Sequence, residues 1–116
     1  MRALALIGLF VIACGASSRQ TTIRDTFIAT QAASVAFIAF DREHQQAIVS
    51  AATSKADGAA ALEAYRAKSA RVAEAFTAVW ISIGAAATAN DDPSFSGMLR
   101  AALSLSAELK TMGVIQ

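Results

Sequence analysis

Two side-chain types that carry chemistry occur once each in this sequence: a thiol at Cys14 and an imidazole at His44. Asp41 stands three residues before His44, and in a helix this spacing puts both side chains on one face. The chain around them has the pattern of a helix, and a turn near Ser54 and Lys55 would bring a second helix alongside. The chemistry of Asp41 and His44 therefore depends on which residues of that second helix face them.

In such a hairpin, Tyr65 faces His44, and Ser69 or Lys68 faces Asp41. The candidate buried polar layer consists of Asp41, His44, Tyr65 and Ser69. We interpret it as a structural layer that sets the register of the two helices, because buried polar groups require hydrogen-bond partners. Two alternatives remain open: a helix rotation that exposes Asp41 and His44, and a proton-linked switch or ligand contact, since histidine titrates near neutral pH.

The sequence has no pattern typical of a catalytic, metal or cofactor site. A metal site needs clustered His, Cys, Asp or Glu ligands, and the chain has one histidine and one cysteine. No glycine-rich phosphate loop is present, and a packing role explains Ser69 opposite His44 better than nucleophilic catalysis does. We expect no catalytic residues, no metal, no cofactor and no enzyme activity.

The residues before Cys14 are typical of a signal peptide. Arg2 supplies a positive charge, and the 11 residues from Ala3 to Ala13 are uncharged and apolar apart from Gly8. This run has the length of a signal-peptide core, about 7–15 residues, and is well short of the roughly 20 residues that span a bilayer.

The tetrapeptide Val11-Ile12-Ala13-Cys14 resembles the lipobox of bacterial lipoproteins, in which an aliphatic residue, a variable residue and a small residue precede cysteine. The resemblance implies cleavage before Cys14 and attachment of diacylglycerol to its thiol. Two or three acyl chains would make the membrane anchor nearly permanent, and no thiol would remain for a disulfide. Gly15 in place of aspartate implies, by family analogy, the outer membrane in a Gram-negative host.

Three other interpretations of this segment remain open. The chain could be cleaved after Ala16 and secreted, the run from Ala3 to Ala16 could be a short uncleaved anchor, or Cys14 could be a buried cysteine in a helix. The lipoprotein interpretation divides the chain into a signal peptide at 1–13, a lipidated cysteine and tether at 14–21, and a helical bundle domain at 22–116.

The composition of the remaining chain is typical of an all-α domain. Alanine, the best helix former, is abundant, and the chain has only one proline and six glycines. Ten basic and nine acidic residues give a formal net charge of +1. Because the charges form neither a basic patch nor an acidic block, we expect no nucleic-acid partner and no cation storage.

Three amphipathic helices are predicted from the apolar periodicity and from capping signals. Their expected limits are Thr22 to Ala52, Ser54 to Ala87, and Pro93 to Met112, with Asp92 as the cap of the third helix and Gly113 at its end. Short connections make consecutive helices antiparallel. The sequence thus predicts an up-down-up three-helix bundle with a long first hairpin and a shorter third helix.

Each predicted helix has an apolar stripe that should face the core. On the first helix it comprises Ile23, Phe27, Ala33, Phe37, Ile48 and Ala52, widened by Ile28, Val35, Ile38 and Val49. On the second it comprises Leu62, Tyr65, Ser69, Val72, Phe76, Val79, Ile83 and Ala86, and on the third Phe95, Met98, Leu99, Ala102, Leu105, Leu109 and Met112. The width of the first stripe predicts that the first helix contacts two others.

Three functional hypotheses follow. The first is a lipoprotein on the periplasmic or extracytoplasmic face that presents a helix to an envelope protein or to a second copy of itself. The second is a phage-encoded lipoprotein in lysis or superinfection exclusion, because the segments 40–45, 52–54 and 91–93 resemble small uncharacterised lipoproteins of bacteria and tailed phages. The third is a holin-like membrane protein, although the uncharged segments Phe27–Phe40 and Phe76–Ala89 are shorter than a membrane span.

Overall fold

The structure is a computed structural model that describes residues 18–116. The predicted signal peptide, Cys14 and residues 15–17 of the tether lie outside the described residues. The described chain forms three α-helices, α1 (Arg19–Ala51), α2 (Lys55–Ala89) and α3 (Asp92–Met112). They form an elongated bundle whose longest dimension is 54 Å. The all-α, up-down-up bundle predicted from the sequence is confirmed.

The helix ends follow local capping signals. Ser54 caps α2 and accepts a hydrogen bond from the Asp57 N–H at 3.1 Å, as predicted. The carboxylate that caps α3 belongs to Asp91, which accepts from the Ser94 N–H at 2.8 Å, so the cap lies one residue before the predicted Asp92. Gly113 ends α3 with a φ of 85°, a conformation that glycine adopts without steric cost.

The first helix begins earlier than predicted. The Ser18 hydroxyl accepts a hydrogen bond from the Thr21 N–H at 3.3 Å, and α1 therefore opens at Arg19 instead of Thr22. Thr22, the expected first residue of the helix, is instead a buried residue inside it. Residues 19–21, which the sequence suggested were tether, belong to the folded domain.

The second helix is the centre of the bundle. It contacts both other helices extensively, whereas α1 and α3 contact each other little. The predicted stripes of α2 and α3 are confirmed for the residues that form the main core: Val72, Phe76, Val79, Ile83, Ala86, Met98, Leu105 and Leu109. A smaller cluster joins Ala29 of α1 to Ala102 of α3.

The face that α1 buries agrees only in part with the predicted one. Ala33 is buried as predicted, and Ile23 and Phe37 pack, partly buried, against the main core. The buried residues of α1 are small: Thr22, Thr26, Ala29, Thr30 and Ala33. The Thr26 and Thr30 hydroxyls donate to the carbonyl oxygens four residues earlier, at 2.8 and 2.6 Å. These local bonds satisfy the hydroxyls, so that the threonines can be buried without partners on another helix.

The prediction that four larger apolar residues widen this buried stripe is wrong. Ile28, Val35, Ile38 and Val49 are 48%, 68%, 55% and 58% exposed. Phe27, also expected to face inward, is 41% exposed. The helix is rotated so that its small residues face the core and its bulkier aliphatic residues face away from it.

The third helix covers only part of the α1–α2 hairpin. Its last residues, Thr111 and Met112, line a groove together with His44 and Tyr65. Beyond this level the groove at the end of the hairpin, between Val49 and Leu62, is lined by α1, α2 and their turn alone. We call residues 49–62 the tip, and the part in which all three helices pack the base.

Candidate functional site

The polar side chains singled out in the sequence meet at the border between base and tip. The Tyr65 hydroxyl of α2 donates to Asp41 Oδ1 of α1 at 2.9 Å. On the other side, Gln45 Nε2 donates to Asp41 Oδ2, also at 2.9 Å. Both carboxylate oxygens therefore have a donor, and the Tyr65 bond joins the two long helices.

His44 takes part in this cluster through its ring. The imidazole lies between Phe40, with ring centroids 5.3 Å apart, and Tyr65, with centroids 4.7 Å apart. The interplanar angles of 18° and 25° make both contacts stacked. His44 is exposed at the surface, whereas Tyr65 is 6% exposed. The stack therefore lies at the rim of the cluster, with the tyrosine as its buried member.

Ser69 does not join the cluster. Its hydroxyl donates to the Arg66 carbonyl oxygen of its own helix at 3.2 Å. Gln45 holds the second oxygen of Asp41 instead, and sequence reasoning overlooked it. The signal was present, because Gln45 follows Asp41 by four residues and such pairs meet on a helix surface. The same spacing relates Phe40 to His44.

The environment of Tyr65 keeps its hydroxyl protonated. Burial raises the pKa of Tyr65 above the ordinary tyrosine value, and both the hydrogen bond to Asp41 and the charge of that carboxylate raise it further. Ionisation would set a phenolate against a carboxylate in a partly dry site. Tyr65 is thus a persistent donor that ties α2 to α1.

A shallow groove of about 390 Å³ runs beside this cluster. Its lining combines polar and apolar side chains from the three helices: His44, Ile48, Ala61, Ala64, Tyr65, Lys68, Thr111 and Met112. Within residues 18–116, no three His, Cys, Asp or Glu side chains are grouped so that they could hold a metal ion. The buried polar side-chain atoms of the described chain all have hydrogen-bond partners. Of the four residues predicted for a buried polar layer, Asp41 and Tyr65 bond to each other, whereas His44 is exposed and Ser69 bonds within its own helix.

A second group of polar contacts lies at the opposite end of the bundle, where α1 begins. The Arg19 guanidinium donates to the Asn90 carbonyl oxygen at 2.8 Å and forms an ion pair with Asp92. It also lies over the Phe95 ring, 5.7 Å from the centroid. These contacts join the start of α1 to the turn between α2 and α3. They connect residues more than 70 positions apart, and no local signal in the sequence indicates them.

Among residues 18–116, one helix is long and apolar enough to cross a membrane. By length and composition alone, α2 meets this criterion, with a mean hydropathy of 1.4 over its most apolar window. The central helix of a soluble bundle meets it too, and α2 is the helix that packs against both others. Its hydropathy by itself therefore does not separate the two cases.

Comparisons with known proteins add no assignment. No protein-family model, curated protein or solved structure matches this chain.

Proposed function

We propose that this protein is an acyl-anchored lipoprotein whose helical bundle acts as a binding or structural module at the cell envelope. The observation that carries the proposal is the tetrapeptide Val11-Ile12-Ala13-Cys14 directly after the apolar run Ala3–Ala13. Each buried CH₂ of an acyl chain contributes roughly 0.8 kcal/mol to membrane binding, so two or three chains hold a protein of this size on the bilayer.

The position of the first helix supports this proposal. The capping residue Ser18 follows Cys14 by four residues, which span at most about 14 Å when fully extended. An acylated Cys14 would therefore hold the base close to the bilayer. Arg19 forms a hydrogen bond with Asn90 and an ion pair with Asp92. A force on the anchor would therefore be transmitted to the turn between α2 and α3 as well as to α1.

The character of the bundle supports a binding or structural role over a catalytic one. Asp41 has a donor at each oxygen, and the raised pKa of Tyr65 keeps its proton in place. The tip lies at the far end of α1, whose 33 residues make a helix about 50 Å long. Val49 and Leu62 give the tip an open apolar groove, which is a suitable contact for an envelope protein partner.

The intact mass of the protein from a membrane fraction tests the anchor. We expect the mass of residues 14–116 plus two or three acyl chains. A Cys14→Ala variant, which has no thiol to acylate, should either leave the membrane or remain as the unprocessed precursor. An unmodified chain of 116 residues that stays in the membrane in both forms would refute the proposal.

A holin-like membrane protein is the second candidate, favoured by the length and hydropathy of α2. In that case α2 would cross the bilayer, and the loss of Cys14 would leave membrane retention unchanged. Extraction of wild-type membranes at alkaline pH, followed by the intact mass of the pelleted protein, separates the two candidates. An acylated chain of residues 14–116 in the pellet supports the lipoprotein, whereas an unacylated chain in the pellet supports a membrane-spanning α2.

A further inference from the structure

The outward face of α1 carries a regular row of exposed side chains. The row, which we call the outer stripe, follows helical spacings of four and three residues: Arg24, Ile28, Gln31, Val35, Ile38 and Arg42. Ile28, Val35 and Ile38 are 48%, 68% and 55% exposed. Side chains at such spacings share one helix face, so three large aliphatic groups stand together in solvent.

The middle of the outer stripe lies in an uncharged segment of α1. From Thr26 to Phe40 the sequence contains no Asp, Glu, Lys or Arg, and the exposed neighbours Ala32 and Ala39 are also apolar. The outer face of a helix in a soluble bundle is normally polar or charged. An apolar outer face indicates that something other than water covers it.

An arginine stands at each end of the outer stripe, next in sequence to acidic residues. Arg24 has a side chain that is 70% exposed, and its Nη2 donates to Asp25 Oδ1 at 3.5 Å. Arg42 is exposed at the other end, between Asp41 and the exposed Glu43. The two arginines are separated by 18 residues, or about 27 Å along the helix. This pattern of aliphatic side chains between exposed cations is that of a helix lying in a membrane interface, where arginines reach phosphate groups.

We propose that α1 lies along the bilayer surface, with the outer stripe immersed in the interface and Arg24 and Arg42 bound to lipid phosphates. This inference rests on the proposed acyl anchor for its geometry. The about 14 Å that can separate Cys14 from Ser18 allows α1 to lie flat against the membrane. A bundle standing upright on the same tether would leave Val35 in water.

A bilayer suits the outer stripe better than a second copy of the chain. The stripe is the convex side of a single helix and forms no groove that could receive another helix. In a parallel pair of α1 helices, Arg24 would oppose Arg24 and Arg42 would oppose Arg42. In an antiparallel pair centred on Val35, each Arg42 would oppose Ile28. In the parallel pair the facing arginines would repel each other, and in the antiparallel pair a charged arginine would face an aliphatic side chain. A phospholipid surface instead offers phosphate groups to the arginines at both ends of the outer stripe.

A spin label placed on the outer stripe tests the proposal. The full-length acylated protein is reconstituted in vesicles of phosphatidylcholine and phosphatidylglycerol, with a cysteine introduced by Val35→Cys. The matched control is Leu103→Cys on α3, where the native side chain is 56% exposed. We expect the label at position 35 to lose most of its collisions with a water-soluble nickel complex and to gain collisions with oxygen, while the label at position 103 stays solution-like.

Two results would overturn the proposal. Equal, solution-like accessibility at both positions would mean that α1 stands away from the bilayer. Spin–spin broadening at position 35 that grows with the protein-to-lipid ratio would assign the stripe to a second copy. The intact mass of each sample shows independently whether the acyl chains are present. Failure of the acyl anchor is therefore seen in the mass, whereas failure of the membrane contact is seen in the accessibility of the spin label at position 35.

Discussion

The base and the tip are built from the same two long helices, but they differ in what α3 adds. In the base, α2 buries Val72, Val79 and Ala86, each at most 1% exposed. In the tip, Leu62 of the same helix is only half-buried, and Val49 is 58% exposed. The interface between α1 and α2 alone leaves part of its apolar side chains in solvent. Where α3 packs against the two helices, these side chains are buried in a core.

The charge of the hairpin also varies along its length. Residues 26–40 and 75–90 are uncharged and lie in the base, whereas residues 41–74 carry ten charged side chains, of which only Lys55 and Asp57 belong to the tip. The middle of the hairpin, around the polar cluster, is therefore its most charged part.

The largest expected effect contrasts two leucines. Leu105→Ala empties a site in the base that is 0% exposed, and such truncations cost about 2–5 kcal/mol of unfolding free energy. Leu62→Ala in the tip removes a half-buried side chain and should cost about 1 kcal/mol or less. Urea denaturation followed by circular dichroism measures both, and equal losses would contradict the division into base and tip.

A second pair of variants separates the inner and outer faces of α1. Ala33 is 1% exposed and Val35 is 68% exposed. Ala33→Leu should overpack the contact between α1 and its neighbours and destabilise the fold by about 1–3 kcal/mol. Val35→Leu should change stability by less than about 0.5 kcal/mol. The reverse order of thermal stabilities would show that α1 is rotated differently.

A third pair addresses the polar cluster at the border of the two regions. Tyr65→Phe removes the donor to Asp41 Oδ1 and should cost about 1 kcal/mol. Ser69→Ala removes a bond that Ser69 makes within its own helix, and its effect should stay within about 0.5 kcal/mol. If chemical denaturation showed a larger loss of unfolding free energy for Ser69→Ala, Ser69 would have to be counted as a member of the polar cluster.

The smallest expected effect depends on pH. Because the pKa of Tyr65 is raised in the folded protein, its contribution to stability is complete below the unfolded tyrosine value of about 10. As the pH rises above that value, the unfolded chain loses the proton first, and the contribution is lost. The difference in unfolding free energy between wild type and Tyr65→Phe should therefore decrease as the pH rises above about 10. A constant difference would argue against the Asp41 contact.

Much of the fold could be predicted because its signals are local. Ser54 and Gly113 mark helix ends through capping and a positive φ, which depend on a few neighbouring residues. The stripes of α2 and α3 were predicted because each helix has one dominant apolar face. The meeting of Asp41, His44 and Tyr65 followed from the register of a hairpin with a short turn, although the hydrogen-bond partner of Asp41 is Tyr65 and not Ser69 or Lys68.

By itself, then, the sequence determined the number of helices, most of their ends and the faces of α2 and α3. Only the tertiary structure decided the rotation of α1, because that helix has two competing stripes: small Thr and Ala residues on one side and Ile28, Val35 and Ile38 on the other. The small residues are the ones that face the core, and this choice depends on the shape of the surface against which α1 packs. The contact of Arg19 with Asp92 has the same origin, since it joins the start of α1 to the turn between α2 and α3, which meet only after the helices have packed.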